Sequence, residues 1–163
     1  MNWKKILFRT LLIVFVTIQF FRPTENKSDA VQTNDLSTLY PIPENVNQIF
    51  KKACNDCHSN NTDYPWYSKV QPIAWWLAEH VNEGKAEFNM NEFATFNLRK
   101  QYRRISQVAD LVKKGEMPLK SYTIVHRDAI LTDEEKQTLY DWSQAIQDSM
   151  KAKYPLDSLI RKK

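Results

Sequence analysis

Cys54-Asn55-Asp56-Cys57-His58 holds the only two cysteines in a chain of 163 residues and follows them at once with a histidine. On a helix, positions i, i+3 and i+4 share one face. Two thiols one turn apart can then both reach the vinyl groups of a porphyrin, with the adjacent imidazole under the iron as proximal ligand. The stretch therefore reads as a c-type haem attachment site, with Cys54 and Cys57 as thioether donors and His58 on the metal. A structural disulfide would not need the histidine. A thioredoxin-like redox pair belongs with alternating strands and helices, and that alternation is missing. Zinc asks for four ligands, and the only other histidines, His80 and His126, stand far apart in the sequence.

Composition narrows the function classes. Glycine occurs twice, at Gly84 and Gly115, which excludes glycine-rich phosphate loops and dinucleotide fingerprints. The net charge of +4 is concentrated at one end. Lys4, Lys5, Arg9 and Arg22 are unmatched by any acid in the first 22 residues, and without those four the 19 other basic residues equal the 19 acidic ones. The basicity thus belongs to the N-terminus, and the rest of the chain offers no case for nucleic acid as a partner.

Lys4 and Lys5 precede an apolar run, and Leu11 to Phe21 carries no charge. This is the pattern of an export signal. The run closes on Ile18-Gln19-Phe20-Phe21-Arg22, with no small-x-small cleavage site. Residues 1–21 are therefore expected to act as an uncleaved signal anchor, in the membrane through residues 6–21, with the rest of the chain on the exported, periplasmic side. A cleaved signal peptide is the alternative. Export agrees with the attachment motif, since covalent haem is normally added outside the cytoplasmic membrane. Residues 22–43, rich in Pro, Asn, Ser and Thr without apolar periodicity, read as a flexible linker with a reach of about 25 Å.

The remainder reads as one all-α domain over residues 44–152, with a C-terminal tail over 153–163. A first helix is expected from Glu44 to His58, with Val46, Ile49, Phe50 and Ala53 on one face. A second starts near Val70, carries Ile73, Trp76, Leu77 and Val81, and stops at Gly84. A third runs from about Asn91 to a stop at Gly115. The last opens on Thr132-Asp133-Glu134-Glu135, a capping box, and is expected to cross the first helix through Trp142. Between them, Ser59–Lys69 and Gly115–Leu131 are irregular. The second of these contains Met117-Pro118, and a loop of this length in a small domain usually has a job. Met117 is thus a candidate sixth ligand to the iron, against the plain reading of a gap-filling core methionine.

With these residues in view, the chain resembles a small class I cytochrome c. Cys57-His58-Ser59, Thr62, Pro65-Trp66-Tyr67, Pro72, Trp75, Val81-Asn82-Glu83-Gly84 and Gly115-Glu116-Met117-Pro118 together resemble the haem-binding domain family of short monohaem c-type proteins, over roughly residues 45–146. The resemblance implies a cytochrome c-like fold of about four helices around one covalent haem c, with a membrane helix in front. His80 and His126 are alternative iron ligands. Trp66, Trp75 and Trp76 are candidate walls of the haem pocket, against the ordinary role of core packing. The basic cluster Arg99, Lys100, Arg103 and Arg104 is by default a solvated helix face, or a docking patch for an acidic redox partner protein. Two functions follow as expectations. One is an electron carrier rather than an enzyme, with a His/Met pair on the iron; the other is a haem-based sensor or ligand-binding module with an open or displaceable distal site.

Overall fold

The computed structural model describes residues 2–160 and is all-α, with no strand among them. The helices are α1 (Trp3–Ile18), α2 (Glu44–Ala53), α3 (Asn55–His58), α4 (Ile73–Glu87), α5 (Leu98–Lys113), α6 (Lys120–Val125), α7 (Asp133–Lys153) and α8 (Leu156–Leu159). The four helices expected from sequence correspond to α2 with α3, α4, α5 and α7.

Local chemistry sets their limits. Thr132 accepts from Glu135 N–H while the Glu135 carboxylate accepts from Thr132 N–H, so the capping box at the start of α7 is complete. Such caps stabilise a helix by about 1 kcal/mol. Asn97 caps α5 by accepting from Lys100 N–H at 2.9 Å. Gly115 ends that helix in the left-handed region, at φ 69°, where glycine meets no steric penalty. The first expected helix is interrupted: Cys54, at φ −128°, bends the chain between α2 and α3. The second starts later and continues past Gly84 to Glu87.

The core is assembled from one stripe of each helix. Ile105 and Val112 of α5 meet Leu139, Trp142, Ile146 and Met150 of α7. Val46, Ile49 and Phe50 of α2 complete it, with Phe50 edge-on to Trp142 at a centroid distance of 5.2 Å. The last long helix therefore crosses the first through Trp142, as the sequence predicts. On the other side α3 lies against α4, and that contact positions the functional site.

Two expectations are corrected, and a third finds no support. Residues 22–43 are a packed strap and not a free tether. Leu36 is 0 % exposed, Asn26 donates to Ser59 O and Thr62 Oγ1 at 2.9 Å each, and Asn91 donates to Asp35 at 2.7 Å. The C-terminal tail is likewise part of the domain as far as it is described. Leu159 in α8 is buried and α8 packs on α5, while Arg161, Lys162 and Lys163 lie outside the described residues. The expected membrane helix at the N-terminus is the one without support. None of the described helices is long and apolar enough to cross a membrane. At 16 residues, α1 extends about 24 Å, short of the ~30 Å hydrocarbon core of a bilayer. The apolar run ends by docking on the domain, where Gln71 Nε2 and Trp75 Nε1 both donate to Phe21 O, at 2.7 and 2.8 Å.

Candidate haem site

The break at Cys54 and the continuation of α4 past Gly84 are two parts of one arrangement. With only hydrogen at its α-carbon, Gly84 lets α4 approach the α3 backbone: a Cβ there would sit 2.5 Å from Cys57 O and 3.0 Å from Cys57 Cβ. Contact at that range brings the end of α4 over the His58 ring. His58 Nδ1 lies 2.7 Å from Phe88 O and 3.0 Å from Gly84 O. Two carbonyls can only accept, so Nδ1 carries the proton and Nε2 keeps its lone pair for a metal. Burial holds the His58 pKa below the usual histidine value. The two carbonyls oppose that shift and the nearby Arg104 charge adds to it. The ring is held neutral and aimed, as a ligating imidazole must be.

A cavity of about 460 Å³ opens beside this histidine, within the range of small-molecule and cofactor sites. Cys54, Cys57, His58 and Met117 all line it. Both cysteines are free thiols. Burial pushes Cys54 up to about 12, with the neighbouring Cys57 adding to it. Burial and then the Asp56 charge push Cys57 up to about 11. Redox-active cysteine pairs carry a depressed pKa, so this pair is unlike them. The site also lacks the donor set of a bare metal centre: among the described residues, no group of three His, Cys, Asp or Glu side chains is placed to hold an ion. A macrocycle that brings its own equatorial nitrogens suits a site offering one imidazole and two thiols.

The other predicted residues divide. His80 lines the cavity. Its Nδ1 meets Trp76 O at 2.9 Å, and its ring packs on Trp76 at 4.3 Å. His126 lies elsewhere: its Nε2 meets the Tyr67 hydroxyl at 2.5 Å and its ring stacks on Tyr122 at 4.2 Å. The three tryptophans do not line the cavity. Trp66 is 80 % exposed, and Trp75 and Trp76 are 41 % and 42 % exposed on the outer stretch of α4. The face of α4 that closes the site is one turn further on, at His80, Glu83, Gly84 and Glu87. The apolar walls are instead Phe50, Phe88, Val108, Leu111, Val112 and Leu119.

Three contributors escaped the sequence reading. Phe88 gives its carbonyl to His58. Tyr122 lines the cavity and donates to Asp56 within the attachment motif at 2.7 Å; burial, this hydrogen bond and the Asp56 charge drive its pKa far up. Arg104, read as part of a solvated basic face, has a side chain only 12 % exposed and lines the cavity. Its Nε is buried without a hydrogen-bond partner. An unpaired buried donor costs about 1–3 kcal/mol, while the charge of this guanidinium is met by Glu87 at 2.6 Å. Haem, a largely apolar disc, fits the apolar walls.

No curated protein and no solved structure matches the chain. The sequence pattern of the haem-binding domain family does match, from residue 13 to residue 145. That stretch begins inside α1 and takes in the strap, the attachment motif, the α4 face with Gly84 and the whole cavity lining. The chain belongs to the haem-binding domain family.

Proposed function

We propose that the protein is a monohaem c-type cytochrome that carries electrons on the exported side of the cytoplasmic membrane. One observation carries this reading: Met117, far along the chain from Cys54, Cys57 and His58, lines the same cavity as they do, and the histidine is already in the ligating tautomer. Cys54 and Cys57 would hold haem c by thioether bonds, each thiol adding across one vinyl group with its hydrogen passing to the vinyl carbon. His58 Nε2 and the Met117 sulfur would hold the iron. Bound haem supplies a one-electron ferric/ferrous couple, and a His/Met pair raises its potential.

The chain's own residues supply the surroundings. Phe88 and Gly84 orient the imidazole; Phe50, Val108, Leu111 and Leu119 keep water from the site. The protein is read as a carrier rather than an enzyme on the strength of the His58/Met117 pair. Residues 6–21 are read as a signal anchor, supported by Lys4, Lys5 and Arg9 before an uncharged run and by an α1 with no buried side chain. The N-terminus of the mature protein tests this. A protein that keeps residues 1–21 and stays with membranes at high salt agrees with it; a soluble protein starting between Arg22 and Asp35 contradicts it.

One observation favours a second reading, a sensor or ligand-binding module: His80 lines the same cavity as Met117, so the distal position has two donors within the site. The visible spectrum of ferric protein decides between them. A weak far-red band that disappears when an external ligand is added marks a methionine ligand and the carrier; its absence favours the sensor.

A further inference from the structure

We infer that the first turns of α4 form a second membrane contact, seated in the lipid headgroup layer beside the exit of the anchor. It rests on reading residues 6–21 as that anchor. The outer face of a helix on a water-soluble domain is ordinarily polar. In α4 this face opens on Ile73, Trp75 and Trp76, all exposed. It turns polar only further along, at Glu79, Asn82 and Glu83, which are exposed too. Ala74 and Val81, on the opposite face, are buried. Tryptophan joins an apolar ring to a polar N–H, the combination that suits the boundary between lipid tails and water.

The apolar end of α4 lies where α1 meets the domain. Gln71 N–H donates to Gln19 Oε1 at 2.9 Å, and Gln19 Nε2 donates to Gln71 O at 3.3 Å. Gln71 and Trp75 side chains both donate to Phe21 O. These bonds tie the end of one helix to the start of the other, next to the exposed rings of Phe20 and Phe21. Helix α1 falls about 6 Å short of a bilayer's hydrocarbon core. A short span is accommodated by thinning the bilayer or by drawing its flanks into the interface. Drawing α1 in to its full length takes Phe20, Phe21 and the tied Trp75 with it. Arg22, the exposed cation that follows, can snorkel to a phosphate. Lipid is therefore the occupant that the position of this face selects. The haem cavity begins on the same helix at His80, with Gly84 about 12 Å along α4 from Trp76. A seated α4 would hold the haem at one height and one tilt above the membrane.

Photolabelling of the haem-loaded full chain tests this. The vesicles are phosphatidylcholine and phosphatidylglycerol, with a lipid carrying a diazirine near the headgroup end of its acyl chain. Peptide mapping should find label on residues 6–21 and also on Trp75 and Trp76. Trp76→Ser should lower the label on the α4 peptide severalfold and leave that on residues 6–21. If this variant does not fold, the map of the unaltered chain decides. Label on residues 6–21 with none on α4 would overturn the second contact and leave the anchor standing. An α4 peptide joined to a second copy of the chain, and to no lipid, would overturn it in favour of a dimer. A protein that stays in solution and takes no label would defeat the anchor reading, and the contact with it.

Discussion

On the α3–α4 side of the cavity, two backbone carbonyls hold His58, at 2.7 and 3.0 Å. On the other side the hydrogen bond that fixes Met117 is a backbone one, from its N–H to Leu111 O at 3.2 Å. His58 is oriented by atoms that cannot move without unwinding α4. Met117 carries a flexible side chain in the loop between α5 and α6, and His80 lines the same space. The contrast teaches where tolerance lies. Changes on the α3–α4 side should damage assembly, and changes on the distal side should retune a site that still forms.

The largest effect is expected at the attachment motif. Replacing Cys54 and Cys57 by alanine should abolish covalent haem, leaving any pigment extractable by acid-acetone. Covalent haem in the double variant would remove these cysteines from the reading. Next is Met117→Ala, in which haem should still be attached. The far-red band should vanish, and the potential should fall by more than ~60 mV, tenfold in the one-electron equilibrium constant. His80→Ala should leave both unchanged. The reverse pattern would move the distal assignment to His80.

Smaller again is Gly84→Ala. The added Cβ would meet the Cys57 carbonyl at 2.5 Å, and overpacking of this kind costs about 1–3 kcal/mol. The denaturation midpoint should fall and the Soret band broaden as His58 loses its two fixed carbonyls. An unaffected variant would mean that the close approach of α3 and α4 does not matter for ligation.

The smallest effect is one of pH. Burial disfavours the charged imidazolium of His58, so its pKa is lowered and the neutral, ligating form persists to lower pH than in a free histidine. The spectrum of histidine-ligated haem should therefore stay constant as pH falls through ~6.5, the ordinary histidine value, and change only below it. Loss of histidine ligation at or above that value would contradict the described environment.

Much of this architecture was legible in the residues. The capping box at Thr132, the stop at Gly115 and the apolar stripe Val46, Ile49, Phe50 are local signals, and each has its expected role in the fold. The strap was not legible. Leu36 is a single apolar residue among polar ones, so no periodicity announces it, and the partners of Asn26 and Asp35 lie some thirty or more positions away. The tryptophans misled for a related reason. Trp76 and His80 share one row of α4, but only the part of the row from His80 onward faces the cavity, and where a cavity ends along a helix is a tertiary fact. Gly84 read as a terminator because glycine often ends helices; here it permits a close approach, which only the neighbouring α3 reveals. Arg104 looked like its exposed neighbours because its burial depends on α4.

The central claim is covalent haem at Cys54 and Cys57 beneath a preset His58. Intact-mass spectrometry of full-length protein, produced with a working c-type maturation system, tests it most directly. The account predicts a mass increase of one haem that survives denaturation and maps to the peptide containing Cys54 to His58. Protein at the mass of the bare chain, with both thiols still open to alkylation, would contradict it.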